Sequence, residues 1–228
     1  PVVHYMMGGV ATDINAKTIL EGLYAAGETA CVSINGANRL GSNSLTELLV
    51  FGRRAGQNAA EYAGTQTAPQ SAPLAALGAD EQRRLDQQFL QKERGKERIA
   101  TIRNEMQKAM EEGAGIYRDE QKMQQTCNAL RSLRQRFKDI IIEDRGTTFN
   151  TELTSAFELD FMLDVAETVA NSALRRKESR GSHTRTDFPK RDDENYLRHT
   201  VAHRTADGPR IEYSPVKITR WQPEERKY

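Results

Sequence analysis

Apolar residues recur at spacings of three and four through the middle of the chain, and from Asp80 to about Ser179 this predicts three helices. Asp80 can cap the first, whose apolar positions are Leu85, Phe89, Ile99, Ile102, Met106 and Met110, and which Gly113 and Gly115 break. The second carries Met123, Cys127, Leu130, Leu133, Phe137 and Ile141, with its break at Gly146. Asn150 or Thr151 caps the third, along which lie Leu153, Phe157, Phe161, Val165 and Val169. One apolar face per helix predicts an antiparallel three-helix bundle. Acidic and basic residues are interspersed on the other faces, which read as solvated surface.

The pattern differs on either side. Residues 1–63 are rich in Gly and small residues, with short apolar runs that read as strands. Val2 to Met6 predicts one strand, ending in Gly8-Gly9; Leu23 to Ala26 predicts another, ending in Gly27-Glu28. A polar, Gly-punctuated loop from Asn35 to Ser44 then opens into a helix to about Tyr62, with Leu48, Leu49, Phe51, Ala55 and Ala59 as its apolar face. Residues 64–78, with Pro69 and Pro73, read as an exposed linker. Residues 79–179 form the helical domain, and residues 180–228 read as loops and short strands. The expected fold class is α+β: the C-terminal portion of an FAD-binding α/β domain, a three-helix bundle, and an extended tail. The chain starts at Pro1, without Met and inside an apolar run, which reads as a cut through a longer polypeptide.

Composition narrows the function classes. A mean hydropathy of −0.72 fits a polar chain, and no apolar run approaches the length of a membrane span. The net charge of +1 carries no signature of nucleic-acid binding. Residues 1–78 and 79–178 each sum to −1 and 179–228 to +3, too little to claim a polyanion partner. Cys31 and Cys127 lack metal or redox spacing, so no metal site is expected and a reducing compartment is the default.

The chemistry concentrates in the first sixty residues. The first N–H groups of a helix are unpaired and lie at the positive end of its dipole, where they can hold an anion. Arg39, just upstream of such a start, offers a planar fork suited to a carboxylate. Local chemistry alone fits two readings equally: an anion site, or an ordinary helix cap beside a surface arginine.

The motifs together resemble a family. His4-Tyr5-Met6-Met7-Gly8-Gly9, Ala26-Gly27-Glu28, the run from Gly36 to Leu45 and Phe51-Gly52-Arg53-Arg54-Ala55-Gly56 are similar, in order and separation, to the succinate dehydrogenase and fumarate reductase flavoproteins. The likeness continues through the helical region to Ser179-Arg180-Gly181-Ser182-His183, Asp187-Phe188-Pro189 and Arg191 to Asn195.

The resemblance implies FAD as cofactor and a C-terminal part of a subunit that oxidises succinate to fumarate, with fumarate reductase and L-aspartate oxidase as alternatives. It implies that His4 and Arg39 bind the dicarboxylate, that Glu28 contacts the ribityl part of FAD, and that Ser44 and Leu45 face the flavin pyrimidine edge. It also implies an iron–sulfur subunit as electron acceptor and, through it, membrane anchor subunits. The complex would lie peripherally on the cytoplasmic face of the membrane, or on the matrix side in a mitochondrion. The Arg191 to Asn195 run and the long tail favour such a complex over the soluble L-aspartate oxidase. From another class, a non-catalytic helical interaction protein that kept a flavin-site sequence is the remaining alternative.

Departures matter too. The hairpin between Val10 and Leu23 is short for the family, Glu21-Gly22 stands where Pro-Gly is common, and Asn35 stands where many members have His. No GxGxxG follows a strand, so the dinucleotide-binding start is expected upstream, with the flavin-linking histidine and the proton-moving arginine. No catalytic residue is therefore expected among these 228 residues, which alone should not turn over substrate. His183, His199 and His203 read as loop or packing residues, the Ser179 to His183 turn as a buttress for the FAD domain or a subunit contact, and Trp221 and Tyr228 as packing or interface residues.

Overall fold

The Gly-rich start folds into less regular structure than its apolar runs predict. In the computed structural model, which describes residues 4–68 and 71–224, the first strand is β1 (Val10–Ala11), paired in parallel with β2 (Ala30–Cys31). The strand expected at Val2 to Met6 lies partly outside the described residues, and its described part is irregular. Residues 23–26 are not a strand either; Tyr24 makes only an isolated bridge with Lys17. Both predicted runs stop at glycines, and regular pairing begins just beyond each of them.

Helix α1 (Asn43–Thr65) forms as expected, but with a different inner face. Phe51 is buried, whereas Leu48 and Leu49 are exposed, and the other buried side chain is Glu47, four residues before Phe51. Helix α2 (Ser71–Leu85) occupies most of the predicted linker. Ala72, Leu74, Ala75, Ala76 and Leu77 are good helix formers, and Pro73 falls in the first turn, where a missing N–H breaks no helical bond.

The chain divides into two compact units, the first ending at Arg84 and the second starting at Leu85. The second opens with a π-helical turn, Asp86–Leu90, and then runs irregularly to α3 (Ile99–Ala114). The single long helix expected from Asp80 to Met110 is thus interrupted. Instead, the backbone N–H groups of Lys96 and Glu97 donate to Asp139 O, and that of Ile141 donates to Glu97 O. The π turn buries Phe89, whose ring stands edge-on to Phe137 and Phe157 at 6.4 and 5.3 Å between centroids.

Helices α3, α4 (Glu120–Phe137) and α5 (Thr151–Arg175) pack against one another in all three pairings. Asp119 caps α4 by accepting from Lys122 N, and Asn150 caps α5 by accepting from Leu153 N. Ile102, Leu130, Leu159 and Leu163 are fully buried between them. At about 1.5–3 kcal/mol for each such side chain, this layer dominates the stability of the unit.

The inner face of α5 is not the stripe expected. Phe161 and Val165 are exposed, while Ala156, Leu159, Leu163, Ala166, Ala170 and Ala173 are buried. Strict spacing by four drifts about 40° around a helix at every step, so Leu153 to Val169 cannot stay on one face. Alternating threes and fours can.

The remainder is short-stranded, as expected. Strand β3 (Tyr117–Arg118) pairs in parallel with β4 (Thr184–Arg185), a short helix α6 (Asp193–Tyr196) follows, and β5 (Arg198–His203) and β6 (Arg210–Pro215) form an antiparallel hairpin. Trp221 is exposed within the described residues, and Tyr228 lies outside them.

Gly115 ends α3 as expected, whereas Gly113, still within the helix, lets two helices touch. A Cβ there would stand 2.1 Å from Thr126 Oγ1 and 2.7 Å from the Lys122 carbonyl oxygen. Gly113→Ala gains up to about 1 kcal/mol of helix propensity. It also forces a backbone shift at the α3–α4 contact, which costs more, about 1–3 kcal/mol. A net loss of stability is expected in urea denaturation, and a stabilised variant would show that the helices separate freely.

Candidate active site

Three of the motif segments meet in the first unit. Gly9 has φ 140°, and a Cβ on it would lie 2.4 Å from Thr29 O, so only glycine permits this approach. Val10 N donates to that same oxygen at 2.8 Å. The approach brings Met6 N within 2.9 Å of Glu28 Oε1. From the other direction, Arg39 N donates to Met7 Sδ at 3.1 Å.

Arg39 is unusual for a surface-loop arginine. Its guanidinium lies 4.3 Å over the Tyr5 ring, NH1 donates to Leu40 O at 3.0 Å, and the buried Nε has no hydrogen-bond partner. Among the described residues it makes no ion pair. A fixed guanidinium with a spare donor suits an external carboxylate. His4, two residues before Met6, is exposed.

The start of α1 is similarly open. Ser42 adopts a left-handed conformation (φ 65°), its hydroxyl makes no cap hydrogen bond, and the first turn holds no acidic residue. A residue type that ordinarily caps leaves the positive end of the helix without an acceptor from its own side chain. Ser44 is half-buried and Leu45 is exposed. The uncapped helix end and the exposed Glu28 carboxylate fit the polar edges and hydroxyls of a flavin nucleotide.

Sequence reasoning passed over Glu47, although an acid four residues before Phe51 on an apolar face was a visible signal. It is 3% exposed and accepts hydrogen bonds from Asn35 Nδ2 (2.7 Å) and the Tyr5 hydroxyl (3.4 Å). Desolvation first, and then the charges of Glu47 and Glu28, push the Tyr5 phenol above its ordinary value.

A family model described as fumarate reductase flavoprotein C-term matches residues 103–228, more than half of the chain. A second, described as FAD binding domain, matches residues 1–45. The chain belongs to the succinate dehydrogenase and fumarate reductase flavoprotein family. Its cofactor is FAD. The fumarate reductase flavoprotein subunit of Mycobacterium tuberculosis is 57% identical over 232 residues, a match that takes in all of this chain and 40% of that subunit. The succinate dehydrogenase flavoprotein subunit of Coxiella burnetii is 42% identical, over 96% of this chain and 38% of the relative. Among solved structures, a quinol fumarate reductase of E. coli superposes with a TM-score of 0.91 at 49% identity, covering 97% of this chain and 38% of that one. The flavoprotein chain described here thus spans about 40% of the length of the curated relatives it matches.

In the second unit the family motif from Ser179 to Asp193 is a buried electrostatic knot. Glu178 and Arg185 are both fully buried. Glu178 accepts from Arg176 NH1, from Arg180 Nε at 2.8 Å and from Asp192 N at 2.8 Å. Arg185 grips Asp187 through two bonds of 2.7 Å and donates to Arg176 O at 3.1 Å. The Asp187 carboxyl is held at a pKa of about 2, chiefly by Arg185. His183 is a packing residue, with Nε2 donating to Arg176 O at 3.0 Å and Nδ1 accepting from Arg118 NH1 at 2.9 Å.

Burial first, and then the charges of Arg118, Arg185 and Arg176, push His183 down to a pKa of about 4. An unfolded histidine protonates near 6.5, so the unfolded state binds the extra proton between these values. Stability from this group is complete above pH 6.5 and is lost as pH falls toward 4, by roughly 3 kcal/mol in total. Urea midpoints measured from pH 7 to 4 should fall accordingly, and the fall should flatten in His183→Asn. An equal slope in both proteins would remove His183 from the account.

Proposed function

We propose that this chain is part of an FAD-dependent subunit that interconverts fumarate and succinate, with fumarate reduction as its physiological direction. The observation that carries this reading is Arg39: a guanidinium fixed on an aromatic ring, with one buried N–H unpartnered and no carboxylate of the described chain against it. A dicarboxylate supplies the missing anion. The sequence alone put succinate oxidation first; higher identity to the fumarate reductase flavoprotein than to the succinate dehydrogenase relative supports the reverse direction.

In this reading Arg39 binds one substrate carboxylate through its fork, and His4 donates a hydrogen bond to a carboxylate oxygen. Together they fix the reacting carbons in place, which is the larger part of what orientation contributes to rate. Glu28 would accept from cofactor hydroxyls, and the positive end of α1 at Ser44 and Leu45, where Leu45 N donates to Ser42 O at 3.1 Å, would stabilise negative charge on the ring system. When bound, FAD supplies the two-electron hydride chemistry that no side chain can. The residue that moves the substrate proton belongs to the remainder of the subunit.

The partners follow from the same reading: an iron–sulfur subunit that exchanges electrons with the flavin, and membrane anchor subunits reached through it. No described helix is long and apolar enough to cross a membrane, which fits peripheral attachment through partners on the cytoplasmic or matrix side. The open Arg39 site argues against a purely non-catalytic interaction protein. The likeness of residues 103–228 to the fumarate reductase C-terminal region favours the complex over L-aspartate oxidase. Residues 1–63 belong to the C-terminal part of the FAD-binding domain with the end of the capping domain, and residues 79–179 to the helical domain, in this assignment.

In the complete enzyme, Arg39→Lys keeps the charge and loses the fork. Its kcat/KM for fumarate should drop by roughly two orders of magnitude, about 3 kcal/mol, with FAD content near normal. His4→Ala should act in the same direction but less strongly, since one neutral hydrogen bond is lost. Steady-state kinetics beside flavin quantification decide the matter. Full activity in Arg39→Lys, or loss of FAD in place of turnover, would detach this loop from the dicarboxylate.

A further inference from the structure

We propose that Glu47 is a positioning residue for the dicarboxylate, acting through Tyr5 on Arg39; the proposal rests on the reading of Arg39 as the carboxylate clamp. Glu47 occupies the inner face of α1, where an apolar side chain would bury without a desolvation penalty. Its partners there are neutral, Asn35 Nδ2 at 2.7 Å and the Tyr5 hydroxyl at 3.4 Å. What the carboxylate adds at this position is therefore direction, in the form of two acceptor contacts aimed at the two segments that frame the clamp.

Each contact reaches Arg39 by a short route. The Tyr5 hydroxyl fixes the far end of the ring on which the guanidinium lies, at 4.3 Å from the centroid. Asn35 begins the loop that carries Arg39, and its bond to Glu47 ties that loop to the first turns of α1. Met7 Sδ holds the Arg39 backbone, and Leu40 O holds NH1. The guanidinium is thus pinned by a ring and a carbonyl, and the backbone that carries it by a thioether, so its fork presents one orientation. An arginine ordered before binding loses less entropy on taking a carboxylate, and that gain appears as substrate affinity.

The test uses the complete enzyme, with malonate as an unreactive dicarboxylate whose Kd is read from the flavin absorbance change. Glu47→Leu should raise the Kd for malonate and the KM for fumarate by about tenfold while FAD content stays normal. Glu47→Gln keeps an oxygen acceptor at the same reach and should restore most of the affinity. Tyr5→Phe, which keeps the ring and removes the hydroxyl, should raise the Kd by about threefold, and adding it to Glu47→Leu should have less than the product of the two effects. An unchanged malonate Kd in Glu47→Leu, beside an impaired Arg39→Lys, overturns the role of Glu47 and leaves the clamp standing. An unimpaired Arg39→Lys overturns both. Should Glu47→Leu fail to retain FAD, Tyr5→Phe decides: a raised Kd supports the proposal and an unchanged one sinks it.

Discussion

Glu178 and Arg185 lie fully out of water, and a charge in that position persists only if opposite charge and hydrogen bonds replace its hydration. The fold of residues 176–193 follows from this requirement. Arg176 and Arg180 close on Glu178, Asp187 closes on Arg185, and backbone carbonyls at the end of α5 take the remaining donors. The segment has few apolar residues, so a hydrophobic core does not hold it. Losing one partner would strand the other, which in buried pairs is worth about 3–5 kcal/mol. In the first unit the buried Glu47 is met by hydrogen bonds alone, from an amide and a phenol.

The bundle was legible in the sequence because its signal is redundant. Three stretches with apolar residues at threes and fours cannot be much else, and Asn150 announced its cap. The errors came where a single cue stood alone. Spacing by four on α5 looked like a stripe but winds around the helix, so Phe161 and Val165 face outward. Gly113 looked like a stop but is a contact point. Pro73 suggested a loop, yet proline in a first turn is compatible with helix.

For the site, the motifs marked segments that lie together in the fold but not the links between them. That His4 to Met7, Glu28 and Arg39 converge could be inferred only from family likeness, since the contacts joining them run through backbone and a thioether. No periodicity encodes a Met sulfur accepting from a loop N–H. The buried acid on α1 did leave a trace, a carboxylate in register with Phe51, but a lone acid among apolar residues is easily taken for exposed surface. Strand assignments failed near the glycines, because regular pairing resumes only after the close approach of Gly9 to Thr29.

Asn35 has a consequence of another kind. An imidazole at this position would gain and lose a proton within the range cells experience. A carboxamide has no proton to exchange there. The Asn35 side of the bond to Glu47 therefore carries no charge that could change, and the loop that carries Arg39 is joined to α1 by a donor of fixed protonation.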